Sequence, residues 1–125
     1  MIGSTRNLSV YAYGEPTDMR NGFDGLSALV QRGLGRDPLS GDLFLFVGRN
    51  RKRAKVLLWD GTGLCVYAKR LERGRFANLW RLPGSPVYLT TSELQLFLEG
   101  STLVGRVCLS PPAFVQKSVE TMRVK

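Results

Sequence analysis

A chain of 125 residues, 43% apolar and 22% charged, has the size of one ordinary domain and the balance of a globular protein that buries a core. It carries 18 Lys and Arg against 10 Asp and Glu, a net charge of +8. That excess directs attention to an anionic partner: nucleic acid first, then an acidic protein surface or anionic lipid. The absence of histidine removes the usual general base, the Ser-His triad and the commonest metal ligand, and no Walker-type or GxGxxG loop offers a phosphate cradle.

Two cysteines, Cys65 and Cys108, are too few and too far apart for a disulfide framework or a zinc site, and read as small core residues. No apolar signal region opens the chain. The longest apolar runs, residues 43–47 and 56–59, fall far short of the ~20 residues that cross a bilayer. The expectation is a soluble cytoplasmic domain without membrane contact, cofactor or metal, nucleoid-associated when bound to DNA.

In chain order, Leu8, Val10 and Ala12 alternate with Ser9 and Tyr11 and predict a short strand. Gly14-Glu15-Pro16 breaks it. Thr17 or Asp18 then offers an oxygen to cap a helix whose apolar stripe is Met19, Phe23, Leu26, Val30 and Leu34. Gly22 and Gly25 lie within it at a cost of ~1 kcal/mol each against Ala, tolerable where another backbone approaches closely. The helix should stop near residues 33–35, where glycine takes the left-handed cap conformation.

After a turn at residues 37–41 come three short apolar runs, 43–47, 54–59 and 64–68, separated by residues 48–53 and by Asp60-Gly61-Thr62-Gly63. They predict an antiparallel meander. With Val47 opposite Ala54 and Trp59 opposite Leu64, one face collects Leu43, Leu45, Val47, Val56, Leu58, Cys65 and Tyr67. The other collects Phe44, Phe46, Leu57, Trp59, Leu64 and Val66. Both faces are apolar, so the one that the first helix leaves open requires a second helix, a partner or a homodimer mate.

Residues 69–76 read as a charged loop or a short helical turn, and Trp80, Leu82 and Pro83-Gly84 as an irregular link. Val87 and Leu89 predict one more strand. Thr91 or Ser92 caps a second helix with Glu93 in its first turn, Leu94, Phe97 and Leu98 as its stripe and Gly100 at its end. Residues 103–109 read as a strand, Pro111-Pro112 as a stop and the last dozen residues as a basic tail. The expected class is α+β: an antiparallel β-meander of four to five strands with two helices packed on it. Residues 1–100 form the single domain and residues 101–125 an irregular extension.

The charge is concentrated. Residues 48–81 hold ten of the 18 basic residues and only two acids, Asp60 and Glu72, leaving eight of each sign elsewhere. Arg49, Arg51, Lys52 and Arg53 occupy the turn between two predicted strands, and Lys55 begins the next. Lys69, Arg70, Arg73 and Arg75 follow the third. In the register above Lys55 lies opposite Ala68, beside Lys69, so the two clusters converge at one end of the meander. Converging cations on a protruding ribbon suit a duplex, whose phosphates release counterions on neutralisation and whose major groove admits a two-stranded ribbon. The plain alternative is a solvated hairpin tip.

Trp59, Tyr67, Phe76 and Trp80 interleave with these cations and could stack on bases, although strand aromatics such as Trp59 and Tyr67 more often fill a core. Phe76, in Arg73-Gly74-Arg75-Phe76, is the aromatic that packing explains least. A metal-dependent nuclease would draw on Asp18, Asp24 and Asp60, but a helix cap, a place in the helix's first turns and a tight turn are sufficient to explain them.

Three stretches together resemble a known family. PTDMRNGFDGLSALVQ (residues 16–31), DPLSGDLFLFVGRNRKRAKVLLWDGTGLCVYAKRLERGRF (37–76) and LTTSELQLFLEG (89–100) are similar to the small TnpB-type accessory protein of insertion-sequence-sixty-six transposons, distinct from the RNA-guided nuclease that shares that name. The resemblance covers about two-thirds of the chain. It implies a protein that serves transposition beside a separate, larger transposase, and it supplies no catalytic residue. The motif residues it carries over include Thr17, Asp18, Arg20 and Asp24, with Trp59 and Phe76, which are the expected partner-binding positions. Residues 101–125 depart from the family's usual ending. Three readings follow: a non-enzymatic accessory protein that binds DNA through the basic hairpin, an adaptor that meets the transposase without touching DNA, and a metal-dependent nuclease.

Overall fold

The computed structural model describes residues 8–80 and 87–100. Five strands and two helices run in the order β1 (Val10–Ala12), α1 (Phe23–Gly33), β2 (Leu43–Val47), β3 (Arg53–Trp59), β4 (Leu64–Arg70), β5 (Val87–Leu89) and α2 (Thr91–Leu98). They form one sheet of order β4-β3-β2-β1-β5. This is the expected α+β class, and its central register is the expected one: Val47 pairs with Ala54, Trp59 with Leu64 and Lys55 with Ala68.

Two pairings depart from a simple meander. β1 runs parallel to β2, with Val10 beside Leu43, and β5 returns antiparallel on the far side of β1. A parallel pair requires a crossover, and α1 supplies it. The alternation of β2 divides the core as expected. Phe44, Phe46 and Leu57 join Tyr11 under Leu26 and Val30 of α1. Leu43, Leu45, Val47 and Val56 point the other way, against Phe76, Ala77 and Leu79 and against Leu94 and Phe97 of α2. The second face is thus covered from within the chain. Cover is incomplete over β3 and β4, where a groove of about 550 Å3 is lined mainly by Val56, Leu58, Tyr67, Leu94 and Leu98.

The start of α1 corrects the sequence reading. Neither Thr17 nor Asp18 caps it: the N-cap is Gly22, without a side-chain bond, and the helix begins at Phe23. Residues 17–21 serve the sheet and a turn instead. Thr17 bridges Gly48 in parallel register, and the Asn21 N–H donates to the Asp18 carbonyl at 3.1 Å. Met19 therefore precedes the helix, and Phe23 is 53% exposed, outside the buried stripe. A Cβ on Gly25 would meet the Asn21 side chain rather than another backbone, and one on Gly22 would meet nothing. The stop is as expected, with Gly35 left-handed at φ 63°.

The cap of α2 lies one residue earlier than expected. The Thr90 hydroxyl accepts from the Glu93 N–H at 3.0 Å, and the Glu93 carboxylate accepts from the Thr90 N–H at 2.8 Å. This is a complete capping box. The expected features at Leu82, Pro83-Gly84, residues 103–109, Cys108, Pro111-Pro112 and the tail to residue 125 lie outside the described residues. Among the described residues, no helix is long and apolar enough to cross a membrane.

Phe76 is fully buried and stacks on Phe97, ring centroids 4.9 Å apart and planes 12° from parallel. Replacing it with Ala removes that stack and opens a cavity beneath α2, at a cost of about 3–5 kcal/mol. Urea denaturation of Phe76→Ala beside the parent measures it, and a loss below about 1 kcal/mol would show that the ring lies outside the core.

Candidate nucleic-acid interface

The tip between β2 and β3 spans residues 48–52. The Gly48 N–H donates to the Arg53 carbonyl at 2.9 Å, and the Arg51 N–H donates back to the Gly48 carbonyl at 2.8 Å. The Asn50 carboxamide oxygen accepts from the Lys52 N–H at 2.9 Å. Arg51 sits at φ 59°, a left-handed conformation that costs a non-glycine residue energy and needs compensation. The root of the hairpin is braced from outside, because the Thr17 N–H donates to the Val47 carbonyl at 2.9 Å. The bracing is close enough that a Cβ on Gly48 would lie 2.8 Å from Met19 Cγ.

The second cationic segment is tied to this tip at both ends. The Leu71 N–H donates to the Lys52 carbonyl at 2.8 Å, continuing the β3–β4 ladder past Arg70. The chain then loops out through Glu72, Arg73, Gly74 and Arg75, all exposed, and returns. On return the Phe76 N–H donates to the Arg51 carbonyl at 2.6 Å, while Arg51 Nη1 donates to the Phe76 carbonyl at 3.0 Å. That reciprocal pair compensates the Arg51 backbone. Burial of Phe76 immediately afterwards anchors the loop. The two basic clusters thus share one end of the sheet, as the register requires.

The nine cations divide by what their side chains do. Arg49, Lys52, Arg53, Arg73 and Arg75 are exposed and, among the described residues, form no ion pair. Arg70 is exposed and lies 3.3 Å from the Glu72 carboxylate, a solvated pair worth little to stability. Lys69 is half-buried. Two cations are committed to the scaffold: Arg51 to the Phe76 carbonyl, and half-buried Lys55, whose Nζ donates to the Asn21 carbonyl at 2.8 Å. No local signal marked either role, since both partners are backbone carbonyls 25 and 34 residues away.

The expected partner positions separate further. Asp18 and Arg20 form an exposed pair, with Arg20 Nη2 2.7 Å from Asp18 Oδ2 and Nε bonded to both carboxylate oxygens. Hydrogen bonds from the Arg20 side chain and backbone hold the Asp18 carboxyl down at about 2. Asp24 is exposed in the first turn of α1, and Trp59 is half-buried. Thr17 is only 5% exposed and Phe76 is fully buried, so neither side chain presents to a partner. Both are corrections: Thr17 faces inward because its backbone bridges Gly48, and Phe76 because it closes the core under α2. Tyr67, expected in the core, is 50% exposed at the groove, where Cys65 is half-buried with its thiol 3.4 Å from Asp60.

Asp60 organises the second hairpin turn. Its Oδ1 accepts from the N–H groups of Thr62 at 2.9 Å and Gly63 at 3.0 Å, and from the Thr62 hydroxyl. The two amide bonds lead in lowering its carboxyl to about 2. Among the described residues no three His, Cys, Asp or Glu side chains gather where a metal ion could sit.

Arg51→Ala should lose about 1–2 kcal/mol in chemical denaturation, because it leaves the partly buried Phe76 carbonyl without its charged donor. Arg49→Ala should stay within about 0.5 kcal/mol, and equal losses would mean that Arg51 is not a clamp. The folded-state carboxyl of Asp60 lies below its ordinary 3.8. Its contribution is therefore full above that value and is lost as pH falls towards 2. The denaturation midpoint of the parent should fall between about pH 4 and pH 2 by more than that of Asp60→Asn, and parallel curves would contradict the turn's dependence on the carboxylate.

These features define a small α+β domain with a mixed sheet and a cationic end built from one hairpin tip and one tethered loop. The chain belongs to the family described as IS66 Orf2 like protein, which matches residues 8–106. The match runs past Ser101, where the departure from the family was expected to begin. Two similar proteins come from Sinorhizobium fredii (strain NBRC 101917 / NGR234). "Uncharacterized protein y4hO" is 40% identical over 101 residues, 80% of this chain and 86% of that protein. "Uncharacterized protein y4jC" is 41% identical over 76 residues, 61% of this chain and 65% of that protein. No solved structure matches the chain significantly. Membership of the family implies an accessory role in insertion-sequence transposition, and the family is not one of known enzymes.

Proposed function

We propose that this chain is a non-enzymatic accessory protein that binds duplex DNA through its cationic end and assists the larger transposase of the same element. The observation that carries the reading is the tethering of residues 71–76 to the hairpin tip, which gathers Arg49, Lys52, Arg53, Arg73 and Arg75 at one exposed end of the sheet. A charge cluster that served only solubility would need no such scaffold. Phosphate neutralisation by clustered cations favours association through counterion release and makes it salt-sensitive. The exposed Asp18–Arg20 pair and Asp24 are the surface we assign to the transposase.

The test is fluorescence anisotropy of a short labelled duplex titrated with the full chain across a series of salt concentrations. Binding should weaken linearly in log affinity against log salt. Replacing Arg49, Lys52, Arg73 and Arg75 with Ala should lower that slope by ~0.9 for each phosphate that is no longer neutralised. All four side chains are exposed and outside the ion pairs of the described residues, so the fold should survive. No binding at low salt, or an unchanged slope, would overturn the reading.

A further inference from the structure

One pair within the cationic end is arranged unlike the rest. Arg53 and Arg70 are directly opposed across β3 and β4. The Leu71 N–H donates to the Lys52 carbonyl, so residues 52 and 71 occupy a hydrogen-bonded position of the ladder. The next pair, 53 and 70, is then a non-hydrogen-bonded one, where facing side chains come closest. Two like charges directly opposed across strands destabilise a sheet. Here only Glu72, 3.3 Å from Arg70, offsets them among the described residues.

The opposed pair borders a cleft of about 430 Å3 whose charged lining is Arg53, Lys55, Lys69 and Arg70 against the single acid Glu72. Met19 forms part of its wall. Lys55 is already held by the Asn21 carbonyl, which fixes that side of the cleft. The two guanidinium groups remain exposed at its edge, and each can fork onto two oxygens of one phosphate.

We infer that Arg53 and Arg70 form a two-arginine seat for a single phosphate group, with Glu72 standing in as the counter-ion while the seat is empty. The inference rests on the DNA reading and sharpens it: one backbone phosphodiester is fixed between β3 and β4, and the cations of the tip and loop reach its neighbours. A phosphate in the seat neutralises both arginines and relieves their mutual repulsion. Glu72 then loses its place on Arg70 and turns to solvent.

Two measurements on the full-length chain test it. In the duplex titration, Arg53→Gln, Arg70→Gln and the double variant are compared with the parent. A shared phosphate predicts that the double variant lowers the salt slope by ~0.9, the value for one phosphate, and that the single effects are not additive. A reduction of ~1.8 with additive effects means two separate phosphates and overturns the seat while leaving the DNA reading intact. The same holds for an unchanged slope.

The second measurement needs no DNA. Inorganic phosphate, against chloride at matched ionic strength, should raise the thermal midpoint of the parent, because a ligand that binds only the folded state stabilises it. It should leave the double variant unmoved. Equal shifts in both overturn the seat. A parent that fails to bind duplex yet responds to phosphate through these two arginines overturns the DNA reading and keeps the seat.

Discussion

The arrangement depends on one reciprocal contact, the exchange between Arg51 and Phe76. The Phe76 N–H and carbonyl are both satisfied by Arg51, at 2.6 and 3.0 Å, and the ring beyond them is sealed against Phe97. A left-handed Arg51 and a charged excursion over residues 71–76 would each be unfavourable alone. Joined, they satisfy backbone groups that would otherwise be stranded at the edge of the core. The same contact fixes the loop's cations relative to the tip's. Stability and the placement of charge are one device here.

The second constraint is the two-sided sheet. β2 is buried at all five positions, which is what a strand covered on both faces requires. α1 covers one face, and the segment that follows the basic loop, with α2, covers the other. The charged excursion is therefore placed between a strand and the core segment that crosses back over the sheet. Of its two anchors Phe76 is fully buried and Leu71 is half-buried against the same core, although its middle is exposed.

Much of this was legible in the sequence, because strand register has a period of two and a slip would invert both faces. Residues 43–47 and 64–68 are apolar throughout, so it was the turn formers at residues 48–53 and 60–63 that pointed to the register. The convergence of the two basic clusters followed from it. What was not legible depended on distant partners. The segment Thr17-Asp18-Met19-Arg20 looks like a helix start, yet its backbone is recruited by Gly48 and its aspartate by Arg20. Arg51 and Lys55 look like every other cation in the cluster, and only the fold shows that backbone carbonyls hold them. The core role of Phe76 is hidden because its charged neighbours dominate the local pattern; Ala77 and Leu79, buried just beyond it, are the signal that it begins a core segment. The parallel placement of β1 turns on the crossover through α1, which no short window contains.

The central claim is that the tip and the tethered loop act as a single DNA-facing unit, and the most direct measurement is residue-resolved. Backbone amide shifts of the full chain, followed by NMR as a short duplex is added at low salt, report which end of the sheet meets DNA. Shifts should cluster at residues 49–53 and 69–75 and move together along one titration curve, with α2 and the groove beside Tyr67 unaffected. Shifts centred on that groove or on β5, or separate titration curves for tip and loop, would contradict it.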